Sequence, residues 1–274
     1  MSGLILTTRD SAGPPIDMTG VLPDRLIEGG REALAGLMLV RGRERHRLDA
    51  LFALQDGGPS GGLVLQPGDA VLDGVGSGMT AGELRVEGEC GAYAGSAMRG
   101  GVLTVEGNCG AFAAAGMAGG SLRVLGDAGD FLGAPLAGGT RGMSGGSVVV
   151  MGNAGDRVGE RMRRGLIAVH GRVGGLCGAR MIAGTIVVGA GCGPGAGQAM
   201  RRGSILLRRA PEAVTPGFVD GGMNDWLFLD LMRKELIDGG AWPSGFPTAG
   251  TRARRLIGDR TAGGIGEVLI VSEA

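Results

Sequence analysis

The stretch GGVLTVEGNCGAFAAAGMAGG, residues 100–120, decides how the chain folds. A third of its positions are glycine, and near copies of it run through most of the sequence. Glycines open successive units at Gly82, Gly101, Gly120, Gly146, Gly165, Gly184 and Gly203. A methionine keeps the same beat at Met79, Met98, Met117, Met143, Met162, Met181 and Met200. Every interval is 19 residues except one of 26, so the third unit carries a seven-residue insertion within GAPLAGGTRG, residues 133–142. Residues 61–82 read as an earlier, slightly longer unit, and GSILLR at 203–208 as an incomplete last one.

Within GELRVEGECGAYAGSAMRGG the apolar pair Leu84 and Val86 is followed by Gly88, Gly91, Gly95 and Met98; in GLIAVHGRVGGLCGARMIAG, Ile167 and Val169 precede Gly171, Gly174, Gly178 and Met181. Short alternation marks a strand with one buried face. The glycines that follow exclude a helix, because each costs about 0.8–1 kcal/mol there relative to alanine. Leucine-rich repeats would need a different frame and a helical return, and propeller blades are about twice as long. Calcium-binding repeats need an aspartate at each turn, whereas this chain offers Asp127, Asp130, Asp156 and little else. A parallel β-helix of about seven to eight coils remains, with equivalent residues stacked about 4.8 Å apart. Glycine serves its corners, where positive φ or close backbone approach is needed. The methionines are expected to be core.

The flanks leave this beat, dividing the chain into an N-terminal β-rich cap (1–60), the glycine-rich β-helix (61–210) and a C-terminal helix with an extended tail (211–274). LILTTR at 4–9 and LAGLMLVRG at 34–42 read as strands, with a short helix or turn opening at Pro23 and Asp24. NDWLFLDLMRKELIDGG at 224–240 has helical apolar spacing, with Asn224 as N-cap and Gly239 as stop. The tail from 241 to 274 reads as loop-rich, closing on a strand at EVLIVSE, 267–273. Sixty glycines and 3% aromatic residues set the chain apart from layered α/β domains. Basic and acidic residues balance at 27 each, which argues against nucleic acid or a membrane surface as partner. MSGLILTTRD lacks a signal-peptide pattern and no apolar run is long enough to span a bilayer, so the cytoplasm is the expected compartment.

Chemistry is sparse. Cys90, Cys109 and Cys192 share one column of the repeat and Cys177 does not; no C-x-x-C occurs, and free structural thiols are expected rather than a metal site. The only histidines are His46 and His170. GMSGG at 142–146 formally matches G-x-S-x-G around Ser144, but the repeat accounts for its other letters and no strand-to-helix turn is expected. GVGSG at 74–78 and GAGCGPGAG at 189–197 resemble phosphate loops without leading into a helix. No catalytic residue is therefore assigned. One charge pattern stands out: Arg99, Arg163 and Arg201 follow the column methionine, and Arg164 and Arg202 occupy the next position. Stacked like charges repel, so this stripe points either to an anionic partner or carrier, or to a solvated corner.

The units GNCGAFAAAGMAGG and GNAGDRVGERMRRG resemble the G-x-x-G-x-x-x-G repeat shared by the C-terminal domain of the glutamate synthase large subunit and by the C subunit of formylmethanofuran dehydrogenase. VLPDRLIEGG, LDALFAL at 48–54 and GDRTAGGIGEVLIV at 258–271 resemble the flanks of the dehydrogenase protein. The resemblance implies a right-handed β-helix that is non-catalytic and scaffolds sister subunits in the cytoplasm. In methylotrophic bacteria the related formyltransferase/hydrolase complex serves tetrahydromethanopterin-linked one-carbon metabolism, formaldehyde oxidation to formate. It implies amidohydrolase-like, formyltransferase and dehydrogenase-B-like partners. It also implies a methanofuran-like carrier with a glutamate chain and tetrahydromethanopterin, neither bound by this chain alone. A single lysine, Lys234, among 27 basic residues fits a GC-rich genome and so the bacterial version. The alternatives are the C subunit of an archaeal tungsten or molybdenum dehydrogenase, a stand-alone glutamate synthase-type domain docking glutaminase or flavin subunits, and an independent enzyme using Ser144 or a thiol.

Overall fold

The computed structural model describes residues 2–243, 246 and 252–272. It is β-rich, with one 13-stranded and one four-stranded sheet. The N-terminal part contains β1 (Leu4–Thr8), β2 (Ile16–Asp17), α1 (Pro23–Ala35), β3 (Met38–Arg41), β4 (Glu44–Arg47), α2 (Leu48–Leu51) and β5 (Phe52–Asp56). The repeats supply β6 (Leu63–Gln66), β7 (Leu72–Asp73), β8 (Glu83–Val86), β9 (Arg99–Val105), β10 (Gly119–Val124), β11 (Ser144–Val150), β12 (Arg164–Val169), β13 (Thr185–Val188) and β14 (Ser204–Leu207). β15 (Val219–Asp225), α3 (Leu227–Asp238), β16 (Arg252–Gly258) and β17 (Gly266–Ser272) follow.

β6 and β8 to β14 pair in parallel, each with its equivalent in the next unit, whereas β7 pairs with β2 in the four-stranded sheet. Two unbroken columns result. One runs Leu63, Leu84, Leu103, Leu122, Val148, Ile167, Ile186, Ile205, and the other Leu65, Val86, Val105, Val124, Val150, Val169, Val188, Leu207, all buried. The seven methionines, from Met79 to Met200, form a third column with no solvent exposure. A chain of parallel bridges runs Cys90, Cys109, Ala128, Ala154, Val173, Cys192, so the three cysteines do share a column. Burying such a side chain contributes about 1.5–3 kcal/mol, and a lone unit could bury none of them.

Both flanks join the same ladder. β1 lies parallel beside β6 and sets Leu4 and Leu6 on Leu63 and Leu65. β17 lies parallel beside β14 and sets Val268 on Ile205, supplying the strand that the incomplete last unit lacks. Beyond them the pairing turns antiparallel, through β5 at one end and β16 and β15 at the other. Asp24, near the start of α1, accepts the Thr80 N–H at 3.0 Å and the Thr80 hydroxyl at 2.6 Å. Asp259 accepts the Ala199 N–H at 2.9 Å and the Thr261 hydroxyl at 2.5 Å. Burial alone would raise the Asp259 carboxyl, but these hydrogen bonds hold it below the usual carboxylate range.

Three local expectations need correction. Leu34 and Ala35 belong to α1, and the strand expected over 34–42 is confined to Met38–Arg41. Asn224 is not a helix cap, because it pairs with Ala253 in β15 and the helix begins at Leu227. The tail expected to be loop-rich carries β16 at Arg252–Gly258 besides its closing strand, and 244–245, 247–251 and 273–274 lie outside the described residues. Residues other than glycine also hold left-handed backbone in the repeats. Tyr93, Phe112, Phe131, Arg157 and Leu176 hold one corner column at φ between +59° and +64°.

The unit-opening glycines do meet the expected requirement. At Gly165, φ is +99°, and a Cβ would lie 2.7 Å from the Gly146 carbonyl oxygen of the unit before. Gly138, in the insertion, has φ +76° but open space around it. Gly138→Ala is therefore expected to cost about 1–2 kcal/mol from backbone conformation alone, and Gly165→Ala several times as much. Denaturant midpoints of the two variants check this; equal losses would mean that contact between units does not set the glycine requirement.

Candidate functional site

The repeat builds one corner from the residues on either side of each column methionine. The main chain there is tied to the previous unit: Arg163 N–H donates to the Met143 carbonyl at 2.8 Å and Arg201 N–H to the Met181 carbonyl at 2.8 Å. The side chains after the methionine project outward and line a cleft of about 640 Å³, formed by Ser144, Arg163, Arg164, Ile182, Ala183, Arg201 and Arg202. Four of the five arginines singled out from the sequence thus meet in one place. Arg99 does not; Ala118 and Ser144 hold its position in the two units between it and Arg163.

The like charges are spaced rather than stacked in direct contact. Ile182 and Ala183 separate the pair Arg163 and Arg164 from the pair Arg201 and Arg202. Two units correspond to about 9.6 Å, close to the screening length at physiological ionic strength. Among the described residues no carboxylate lies within ion-pair distance of these four arginines or Arg99. The Arg163 Nε is buried without a hydrogen-bond partner.

Sequence reading missed a second basic group on the other side of the same methionines. Glu160, 7% exposed, accepts Arg157 Nη1 at 3.2 Å and Arg180 Nη1 at 3.0 Å, with Arg161 Nε at 3.9 Å. Arg157 and Arg180 also line a neighbouring cleft of about 230 Å³ with Leu176, Ala179, Gln198 and Ala199. The signal was present in GERM at 159–162 and GARM at 178–181, where arginine precedes the column methionine. Arg157 continues a half-buried ladder of stacked rings: Tyr93 on Phe112 at 5.1 Å, Phe112 on Phe131 at 4.7 Å, and the Arg157 guanidinium 5.7 Å from the Phe131 ring.

The other candidate groups are placed as follows. Ser144 opens β11 rather than a strand-to-helix turn. Neither histidine pairs with it: His46 lies 3.3 Å from Glu44, and His170 Nε2 lies 3.2 Å from the Gly240 carbonyl. Burial lowers the His170 pKa. All four cysteines are buried and free. Hydrogen bonding to Cys109 and burial push the Cys90 thiol up, and the same causes act on Cys177 through Cys192. Such thiols stay protonated at neutral pH and are poor nucleophiles. Cys177, set outside the column by sequence, is therefore the neighbour of a column cysteine. The aspartates considered for calcium bind backbone instead: Asp127 accepts Asn153 N–H at 2.6 Å, Asp130 accepts Asp156 N–H at 2.8 Å, and Asp156 accepts Gly175 N–H at 2.7 Å. Among the described residues no three metal-ligating side chains converge, and no helix is long and apolar enough to cross a membrane.

No protein-family model matches the chain. The C subunit of the tungsten-containing formylmethanofuran dehydrogenase 2 of Methanococcus maripaludis is 27% identical over 94 residues, which is 34% of this chain and 35% of that protein. The alignment thus spans about a third of that relative's length. A chain in the crystal structure of the formyltransferase/hydrolase complex (FhcABCD) from Methylorubrum extorquens, in complex with methylofuran, is similar throughout. It is 33% identical, with a TM-score of 0.85, and the match covers 98% of this chain and 100% of that one.

Glu160 is the only carboxylate facing Arg157, Arg161 and Arg180 among the described residues. Glu160→Gln is expected to lower stability by about 1 kcal/mol at low ionic strength, since the three guanidinium groups are partly solvated. The loss should shrink as salt is added. Denaturant unfolding at low and high salt checks the sign, and a loss that does not respond to salt would contradict this electrostatic account.

Proposed function

The chain belongs to the family of formylmethanofuran dehydrogenase C subunits, and on that premise we propose that it is the non-catalytic structural subunit of a formyltransferase/hydrolase complex. The observation that carries this reading is the match over 98% of the chain to a chain of such a complex. The archaeal relative, by contrast, aligns over only 34% of the chain, so the bacterial reading leads. In this reading the chain scaffolds amidohydrolase-like, formyltransferase and dehydrogenase-B-like sister subunits in the cytoplasm. The complex takes a formyl group from tetrahydromethanopterin to a methanofuran-like carrier and on to formate, in formaldehyde oxidation.

The repeats of 61–210 are read as a right-handed parallel β-helix, closed by 1–60 and 211–274. Two strand columns and a separate bridge column, all parallel and in register, support winding of the chain, and parallel crossovers are right-handed in about 98% of cases. The scaffold role is supported by the chemistry described: Ser144 has no imidazole, the Cys90 and Cys177 thiols are pushed up by hydrogen bonding and burial, and side chains fill the interior columns. Partner subunits are supported by the surface. Leu227 and Leu231 of α3 are 77% and 67% exposed, and Ile265 is 67% exposed. Leu227 and Leu231 are one helical turn apart, and large apolar side chains adjacent at a surface mark contact sites.

The arginine cleft is read as a guiding surface for the glutamate chain of the carrier. Arg163, Arg164, Arg201 and Arg202 present guanidinium groups that no carboxylate pairs among the described residues, beside the apolar Ile182 and Ala183, which suits carboxylates on a flexible chain.

Two experiments test the two parts. Purification of the tagged chain from its native host is expected to bring the three sister subunits with it; recovery of the chain alone, or with glutaminase subunits, would overturn the scaffold reading. In the assembled complex, Arg163→Glu combined with Arg201→Glu is expected to weaken carrier binding by tenfold or more. Unchanged carrier affinity would remove the cleft from the function and leave the scaffold reading standing.

A further inference from the structure

Four strand edges border the two sheets, and three of them are closed. β15 is bulged between Asp220 and Met223, where its register on β16 shifts. β5 is capped by Arg31, whose Nη2 donates to the Leu54 carbonyl at 2.9 Å. β7 meets the next unit, its Leu72 carbonyl accepting the Gly91 N–H at 2.9 Å. β4 has no such device. It is regular over its four residues, and among the described residues only β3 pairs with its main chain. Bulges, caps and cover are how native sheets close their edges, so an edge without them is open to another strand. We infer that the free edge of β4 is a docking site for an extended acidic segment of a partner protein, which adds to the sheet as an antiparallel strand.

The phase of the hairpin fixes which groups point outward. A two-residue turn at Gly42 and Arg43, with φ +64° at Gly42, joins β3 to β4. Just beyond the strands, Leu48 N–H donates to the Leu37 carbonyl at 2.8 Å. Bonded and non-bonded pairs alternate along an antiparallel ladder, so His46 with Leu39 and Glu44 with Arg41 are bonded pairs. Arg45 and Arg47 are the non-bonded partners of Val40 and Met38. Their main-chain N–H and C=O groups therefore point away from β3, to the open edge.

Side chains select what fits there. Arg45 and Arg47 share one face of the hairpin and Arg43 stands at its tip, all three exposed. Arg47 is paired with Asp49 at 2.7 Å, whereas among the described residues no carboxylate lies within ion-pair distance of Arg43 or Arg45. On the same face Val40 and Met38 are 38% and 53% exposed, which leaves apolar surface for the body of a partner. Opposite charges directly across two strands stabilise the pairing and like charges oppose it. A second copy of this chain added antiparallel through β4 would set arginine against arginine. The edge thus rejects itself and fits a strand with a carboxylate at every second position.

The intervening side chains of such a strand have room as well. Glu44 and His46 face the other side of the hairpin, and with Pro14, Arg41, Gly42 and Arg43 they line a cleft of about 390 Å³. Main-chain pairing beside a pocket for alternate side chains is the pattern of strand addition. Nucleic acid fits less well, since residues 38–47 include no Phe, Tyr or Trp on which a base could stack. This surface shares no residue with either arginine cleft, and the inference does not depend on the subunit reading.

The test uses the purified full-length chain and short fluorescently labelled peptides at low ionic strength. A peptide alternating glutamate with threonine is expected to bind about tenfold tighter than one of the same composition with its glutamates in one block, because only the first matches Arg45 and Arg47 in strand register. Residues opposite Arg45 and Arg47 carry the hydrogen bonds between the strands. N-methylation of the glutamates should therefore weaken binding about tenfold or more, and N-methylation of the threonines far less. Arg45→Gln should lose about threefold. Arg43→Glu with Arg45→Glu should turn the preference round, toward a peptide alternating lysine with threonine, which a merely misfolded hairpin could not do. Equal binding of the alternating and block peptides, or equal losses from the two methylations, would overturn strand addition. An alternating peptide that does not bind would leave the arginines as guards against self-pairing and overturn the inference. A thymidine oligonucleotide that binds more tightly than the alternating peptide would overturn the partner class.

Discussion

The distance between successive units governs everything else in this molecule. Main chain packs on main chain with almost no gap. A Cβ at Gly100 would lie 2.1 Å from the Thr80 carbonyl oxygen, at Gly119 2.3 Å from that of Arg99, and at Gly145 2.2 Å from that of Ala118. At these places glycine is required by approach rather than by φ, and the approach lets each unit donate hydrogen bonds to the one before. Gly119 N–H to the Met98 carbonyl at 3.2 Å and Ser144 N–H to the Met117 carbonyl at 2.7 Å are of this kind. Buried backbone groups left unpaired would cost about 1–3 kcal/mol each, so the glycines hold the ladder together by letting its rungs meet.

That constraint is why so much of the fold could be read from the sequence. A 19-residue beat of glycine and methionine can be satisfied only where equivalent residues lie over one another, and Leu84 on Leu103 or Ile167 on Ile186 follow from it. The misread parts obey other forces. Asn224 has the chemistry of a helix cap, but its backbone is taken by pairing with Ala253 across β15 and β16, a contact that no local pattern announces. Sequence reading did not foresee that Tyr93, Phe112 and Phe131 hold left-handed backbone, with Tyr93 stacked on Phe112 and Phe112 on Phe131. Stacking between neighbours is worth about 0.5–1.5 kcal/mol, which helps to offset the conformational cost.

A further signal lies in the strands themselves. ELRV, VLTV and SLRV alternate, whereas SVVV, LIAV, TIVV and SILL are apolar on both faces. The outer residues of the second group, Val149, Ala168, Val187 and Leu206, are buried under Leu229 and Leu236 of α3 with Trp242 and Phe246. Arg85, Thr104 and Arg123 hold the equivalent outer places in the earlier strands. The outer face thus changes from polar to apolar where the C-terminal segment folds back over it. A strand buried on both faces loses its alternation, so the change in pattern marks the covered half of the sheet.

The basic corner was partly legible for the same geometric reason, and its limits show how the repeat was adapted. Arg163 and Arg201 could be assigned to one surface because they share a repeat position, but sequence could not show that Ile182 and Ala183 would space them into a cleft. Nor could it show that Glu160 would gather Arg157 and Arg180. The corner is bounded at both ends. The insertion at 133–142 returns to the stack where Gly142 N–H meets the Arg161 carbonyl at 3.2 Å. At the far end, Ile265 N–H meets the Arg201 carbonyl at 2.8 Å, and Asp259 holds the Ala199 N–H. Apart from Arg99, which lies two units before the first seam's Ser144 repeat position, the corner arginines fall between these two seams. Between them they make a patch three units long whose charge is set by the stack and balanced, among the described residues, only by Glu160. A stack that leaves such an excess standing at one corner has a surface ready to be neutralised from outside.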